Sequence, residues 1–260
     1  CALVHASDWQ IGKGTSSFNP EVGATRLRTL ARKVGQITEV QRADHPVKEC
    51  WVILGGDMLD CGVISHHNQH KPGRTEGLRL LEDAQEAREL FVIPEQRMAP
   101  ERVYLTGNHE KWLADLVDDQ PGLEGIIDLQ VLLGLKGWTV VAHGHVFNLG
   151  KLTFAHGDQF GGGEHVAKAA VIAYERSIRF GHHHTAQLYT KTSPLDYKLA
   201  RTGMAVPCLC TKDPKYGEGK ANRWVQGFVY GYVMDDGWFN DYLVTILNGR
   251  AVINGRTYRA

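Results

Sequence analysis

Five short apolar runs in this chain stop at residues that can hold a cation or move a proton. ALVHAS (2–7) delivers Asp8 with Gln10 two residues on, and CWVILGG (50–56) delivers Asp57 with Asp60 three residues on. VYLTG (103–107) ends at Asn108 and His109, LTFA (152–155) at His156, and SIRFG (177–181) at His182 with His184 two residues on. Carboxylates, imidazoles and side-chain amides together mix hard oxygen with borderline nitrogen donors, a set that suits Mn, Fe, Zn or similar divalent ions and not an all-oxygen calcium cage. The donors are too many for one ion that must stay open to a substrate. Two ions about 3.5 to 4 Å apart, sharing a carboxylate, would use them.

Each choice has a plainer rival. A lone Asp after a strand is usually a turn or cap residue, and Asp8 alone reads so. His143 and His145 of AHGH compete with His156. His156 is preferred because it ends an apolar run just before a Gly and a helix, whereas AHGH reads as the preceding hairpin. His182 and His184 are preferred over His183 because alternate residues of an extended segment point the same way. His66, His67 and His70 sit on an expected exposed loop, and His66 and His67 are candidate substrate contacts. His5, inside a strand, reads as a hydrogen-bonded core histidine, and the CLC at 208–210 has no partner cluster and is assigned no metal.

Something must hold these strand ends together. Short β-branched and aromatic runs bounded by Gly read as buried strands, and the segments 20–43, 75–92, 124–135 and 163–176 read as helices. The first of them starts at Pro20 and places Leu27, Leu30, Val34 and Ile37 at helical spacing. Strands alternating with helices imply an α/β architecture whose strand ends aim side chains into one crevice. The segment 187–223, rich in Lys, Thr, Pro and Gly, reads as a basic surface excursion with Tyr197, Tyr216 and Trp224 nearby. From 224 to 260, runs split by DDG and NG turn signals read as antiparallel strands that complete a sheet.

Composition narrows the classes. The 260 residues read as a single domain, 1–260, and 29 Lys plus Arg balance 29 Asp plus Glu. No overall field therefore recruits nucleic acid or an anionic membrane, so a nucleic-acid partner needs a local patch. No apolar run reaches the roughly 20 residues that span a bilayer. Five cysteines, none in a Cys-x-x-Cys pair, predict no disulfide framework and a reducing, cytoplasmic setting. Because the sequence opens at Cys1 and not at Met, a leader ahead of it remains an alternative.

In order along the chain, DWQ, GDMLD (56–60), GNHE (107–110), HGD (156–158) and GHHH (181–184) resemble the five blocks of the calcineurin-like metallophosphoesterases. The resemblance spans residues 2 to about 186, and the ordered set is specific where each block alone is weak. It implies a four-layer α/β/β/α sandwich of two mixed sheets and two divalent metal ions, Mn first, with Fe, Mg or Zn as alternatives. Asp57 would bridge both ions, Asp8 and His184 would complete one, and Asn108, His156 and His182 the other. His109 would remain unligated and face the substrate phosphate as an acid or charge stabiliser, with Asp60 supporting the turn. Gln10 stands where most members place a histidine ligand, and its neutral amide oxygen favours Mn or Mg over Zn.

The reaction implied is hydrolysis of phosphoesters, phosphodiesters foremost, by a metal-bridged hydroxide. The spelling is nearest to the SbcD-type repair nucleases and to compact phage-type members. Alternatives are a DNA exonuclease or endonuclease, a phosphoprotein phosphatase, and a binding scaffold that has lost its metal, as in the retromer coat. The sequence leaves the oligomeric state open.

Overall fold

A computed structural model describes residues 2–6, 8, 10, 49–210 and 223–259. The helix expected at 20–43, Trp9 and residues 211–222 of the expected excursion lie outside the described residues.

Four parallel strands form the centre of the first sheet: β1 (Ala2–Ala6), β2 (Cys50–Leu54), β3 (Glu101–Leu105) and β4 (Thr139–Val141). Beyond β1 the chain adds β10 (Gln226–Val233) and then β11 (Phe239–Ile246), both antiparallel pairings. The second sheet runs in the order β5 (Phe147–Leu149), β6 (Leu152–Ala155), β7 (Ser177–Phe180), β9 (Arg201–Ala205), β8 (Gln187–Lys191), with β6, β7 and β9 parallel. The molecule is thus a mixed α/β protein with two mixed sheets.

Alternation along the strands decides what packs where. Leu3, Ile53, Val103 and Leu105 of the first sheet meet Leu152 and Phe154 of the second in one buried cluster. The intervening residues Val52, Leu54 and Tyr104 face the other way, onto Ala84 and Ala87 of α2 (Leu80–Ala87), Leu113 of α4 (Asn108–Asp119) and Leu133 of α5 (Leu129–Leu133). On the second sheet Ala155, Ile178 and Phe180 turn outward onto Val166, Ala170 and Val171 of α6 (Val166–Tyr174). No helix among the described residues is long and apolar enough to cross a membrane.

Helix α2 does not stop at residue 92 as expected. It continues through a π-helical stretch, Arg88–Val92, into α3 (Ile93–Met98). Pro94 explains the irregular turn, because its missing N–H cannot complete the regular hydrogen-bond ladder. The other two helices are shorter than their sequence windows, since only 129–133 and 166–174 are helical.

Three further expectations are corrected. The segment 187–223 is not an irregular excursion throughout, because β8 and β9 lie within it and β9 sits inside the second sheet, with Gly203 close against Ala167 and Val171. Burial of RTGMA by neighbours distant in sequence supplies what its own pattern lacks. The C-terminal run does not all join one sheet, for β12 (Arg250–Ile253) and β13 (Arg256–Arg259) pair with each other as a separate hairpin. AHGH is not part of a hairpin either. It follows β4, the edge strand of the first sheet, and leads into β5 of the second, so it is a crossover.

Candidate metal centre

Every candidate block follows the carboxyl end of a parallel strand. Asp8, Asp57 and Asn108 follow β1, β2 and β3, which are adjacent in the first sheet, and His156 and His182 follow β6 and β7, adjacent in the second. Crevices beyond such strand ends are where α/β folds place ligands. Because the two sheets face each other, the two sets of ends meet.

The meeting is close. His156 Nε2 lies 3.3 Å from Asp57 Oδ2 and 3.0 Å from Asn108 Oδ1, while its Nδ1 lies 2.8 Å from the Gly55 carbonyl oxygen. With Nδ1–H donating to Gly55, the Nε2 lone pair confronts two oxygens, Asp57 Oδ2 and Asn108 Oδ1. Three electron-rich atoms turned toward one another need a proton or a cation between them. Burial opposes charge on His156, but the Asp57 carboxylate overrides it and raises the imidazole pKa to about 10. Asp57 is correspondingly held below the usual carboxylate range by His109 and His156, against the effect of its own burial. The His182 ring packs edge-on against His156 at 5.3 Å, and Asp57, His156 and His182 lie close enough to share an ion.

A second cluster adjoins the first. Asp8 Oδ1 lies 3.2 Å from His184 Nε2, and Asp8 Oδ2 accepts the His182 backbone N–H at 2.7 Å. Burial works against both charges, yet the pair lowers the Asp8 carboxyl and raises the His184 imidazole. Gln10 is buried here, its N–H donating to the Asp57 carbonyl at 2.8 Å. Its Oε1 is a buried acceptor with no hydrogen-bond partner among the described residues.

The backbone is bent to make these contacts. Asp8, Gln10, Asp57, His182 and His184 all have positive φ, between 46° and 64°, a region that costs L-residues energy and clusters at functional sites. His182 and His184 are therefore not alternate residues of an extended segment. They part company, His182 toward His156 and His184 toward Asp8, while His183 turns to the Gly157 carbonyl at 3.1 Å. At Gly56, φ is 92° and a Cβ would stand 2.7 Å from His156 Nδ1, so only glycine allows β2 to end this close to the second sheet.

His109 stands between the Asp60 main chain and the Asp57 carboxylate. Its Nδ1 is 2.8 Å from the backbone carbonyl of Asp60, and its Nε2 faces Asp57 Oδ2 at 3.8 Å. Asp60 thus orients His109 through its main chain, and both residues line the same cleft. That cleft, about 690 Å³, is also walled by Asn108, His182, His67, Arg74 and Trp112. His66 is exposed and packs edge-on against Trp112 at 5.2 Å, a step back from the opening. His143 is paired with Asp158 at 2.7 Å.

Four residues were misjudged or overlooked in the sequence. Glu110 ends the GNHE block, and its carboxylate accepts the N–H groups of Asp57, Met58, Leu59 and Gly107 and the Tyr104 hydroxyl. All five partners are donors, so the hydrogen-bond pattern requires the anion although burial and Asp57 push its pKa up. Its place three residues after Gly107, the cap of α4, was the available signal. His5 is in the core, but it is not hydrogen-bonded: neither ring nitrogen has a partner among the described residues, and burial lowers its pKa to about 3. CLC is likewise not isolated, for Cys208 and Cys210 lie against His184 closely enough to share an ion. Beta-strand pairing distant in sequence brings them there.

No family profile matches the chain, and no curated protein matches it. Among solved structures, the chain is similar to the crystal structure of Chaetomium thermophilum Vps29, with 8% identity, a TM-score of 0.47, and coverage of 99% of this chain and 98% of that one.

Proposed function

We propose that the strand-end cluster is the centre of a divalent-metal-dependent phosphoester hydrolase with the calcineurin-like four-layer arrangement, acting on diesters foremost. The observation that carries this reading is the convergence of Asp57 Oδ2, Asn108 Oδ1 and His156 Nε2 at the strand ends, with the Asp8–His184 pair in the adjoining cluster and a buried, unfilled Gln10 Oε1 on the same strand end as Asp8. Such a donor set fits cations of the Mn class. In this reading Asn108, His156 and His182 hold one ion, Asp8, Gln10 and His184 the other, and Asp57 both. Bound there, the ions would acidify water toward a pKa of about 7 and polarise the phosphoryl group.

The chain's own groups do the rest. Gly55 and the Asp60 carbonyl fix the His156 and His109 rings, so neither imidazole needs to reorganise when charge develops. His109, pinned at Nδ1, offers Nε2 to the cleft, where a protonated ring can meet phosphoryl charge or pass a proton to the leaving oxygen. The cleft extends past this centre to His67, Arg74 and Trp112, giving the second ester substituent somewhere to lie.

The test is hydrolysis of bis-p-nitrophenyl phosphate against p-nitrophenyl phosphate by Mn-loaded protein. Diester turnover should exceed monoester turnover, and His109→Ala should lose roughly 10² to 10⁴ in rate while still holding metal. Metal-loaded wild-type protein that hydrolyses neither ester contradicts the reading.

A further inference from the structure

His184 has two faces, and only one is used by the centre above. Nε2 looks at Asp8, while Nδ1 lies 3.9 Å from Cys210 Sγ, with Cys208 Sγ in the same group. We propose that Cys208, Cys210 and His184 Nδ1 form a second, thiolate–imidazole site for a borderline-soft divalent cation of the Zn²⁺ type.

Geometry comes first. Zinc–sulfur bonds of about 2.3 Å and zinc–nitrogen bonds of about 2.0 to 2.1 Å at tetrahedral angles put sulfur and nitrogen roughly 3.6 Å apart. The observed 3.9 Å needs little adjustment. All three residues are buried and both cysteines are thiols outside any disulfide. The segment that carries them is fastened on both sides: Cys208 N–H donates to the Val225 carbonyl at 3.1 Å, Leu209 N–H to the Asp8 carbonyl at 3.2 Å, and the Cys210 carbonyl accepts from Gln226 Nε2 at 2.7 Å. The Trp224 ring closes on His184 edge-on, with centroids 4.1 Å apart. The donors are therefore held in place before any ion arrives.

Charge and softness agree. Binding releases two thiol protons, and two thiolates then cancel a divalent charge, so the buried complex is neutral and leaves no unpaired ion in the core. Thiolates prefer Zn²⁺-class ions, whereas the oxygen-rich set around Asp57 prefers harder ones. With Nδ1 on the cation, Nε2 keeps its proton and donates it to Asp8, the carboxylate–histidine–metal arrangement that orients metal-bound imidazoles. Three protein donors leave one coordination position open.

A consequence, resting on the proposed hydrolase reading, is competition. While Nε2 carries a proton for Asp8, it cannot serve an ion beside Asp8, so a soft cation on the thiols withdraws His184 from the hydrolytic centre.

Cobalt reports thiolate ligation directly. Titrating the full chain with Co²⁺ under reducing conditions should produce the near-ultraviolet sulfur-to-cobalt charge-transfer band. Cys208→Ser and Cys210→Ser should each remove most of it, His184→Ala should weaken Co²⁺ binding, and Cys50→Ser should leave the band intact. On wild-type protein alone, zinc X-ray absorption should show a sulfur shell at about 2.3 Å. Absence of the band in wild type, its survival in both cysteine variants, or a zinc shell of nitrogen and oxygen alone overturns the proposal. The hydrolase reading is scored separately on Mn²⁺-dependent turnover by wild-type protein: turnover without the band sinks the thiolate site, and the band without turnover sinks the hydrolase.

Discussion

Among the ion pairs that join the sheets, two are built in opposite ways. Arg179 of β7 reaches Asp241 of β11, and His156, after β6, reaches Asp57, after β2. In the first, all five guanidinium N–H groups have acceptors: both carboxylate oxygens of Asp241, Thr202 Oγ1, and the carbonyls of Thr202 and Ile178. Both residues sit within regular strands. In the second, the backbone at Asp57 is left-handed, His156 Nε2 faces two acceptors, and the buried Gln10 amide oxygen has no partner among the described residues. The first network is filled and lies on regular strands, whereas the second is open and strained, the pattern expected where a ligand binds.

Exchanging alanine into each pair should separate the two roles. Asp241→Ala strands a buried guanidinium and should cost about 3 to 5 kcal/mol in urea unfolding, with turnover per folded molecule retained. Asp57→Ala should abolish turnover for a smaller stability loss, because His156 can give up its proton where Arg179 cannot. Equal stability losses in the two variants would erase the distinction.

Glu110 tests whether the centre depends on its supports. Glu110→Gln turns an amide N–H₂ toward backbone donors, and should cost about 1 to 3 kcal/mol and weaken Mn²⁺ binding together. Unchanged metal affinity at reduced stability would make Glu110 part of the fold alone.

A pH-dependent effect lies outside both pairs. Glu95 is buried, its Oε2 has no partner among the described residues, and burial raises its pKa from 4.5 to about 8. Between these values the native state keeps a proton that the unfolded chain has released, so its contribution to stability falls as pH rises through the window and is level above it. Glu95→Gln should stay flat where wild type declines, by roughly 1 kcal/mol per pH unit. Parallel pH profiles for the two proteins would refute the assignment.

The contrast also explains what the sequence could tell. Asp57, Asn108, His109 and His156 were legible because each sits immediately after a short apolar run, and parallel strands must end somewhere together. Glu110, Cys208 and Cys210 were not, because their partners are distant in sequence: Glu110 serves a loop some fifty residues away, with Leu59 N–H at 3.1 Å, and the cysteines meet His184 through pairing with the strand after Val225. Strands β8 and β9 hid for the same reason, as a segment of Lys, Thr and Gly becomes a strand when neighbours cover it. Left-handed φ at Asp8 and His184 carries no signature in residue type.

The most direct test is thermal unfolding of wild type and Asp57→Ala with and without Mn²⁺. If the open network is a cation site, Mn²⁺ at a hundred times its Kd should stabilise wild type by about 2.7 kcal/mol and leave Asp57→Ala nearly unmoved. For a chain of this size that is a shift of roughly 5 to 11 °C. No shift in wild type, or the same shift in both proteins, would contradict the account.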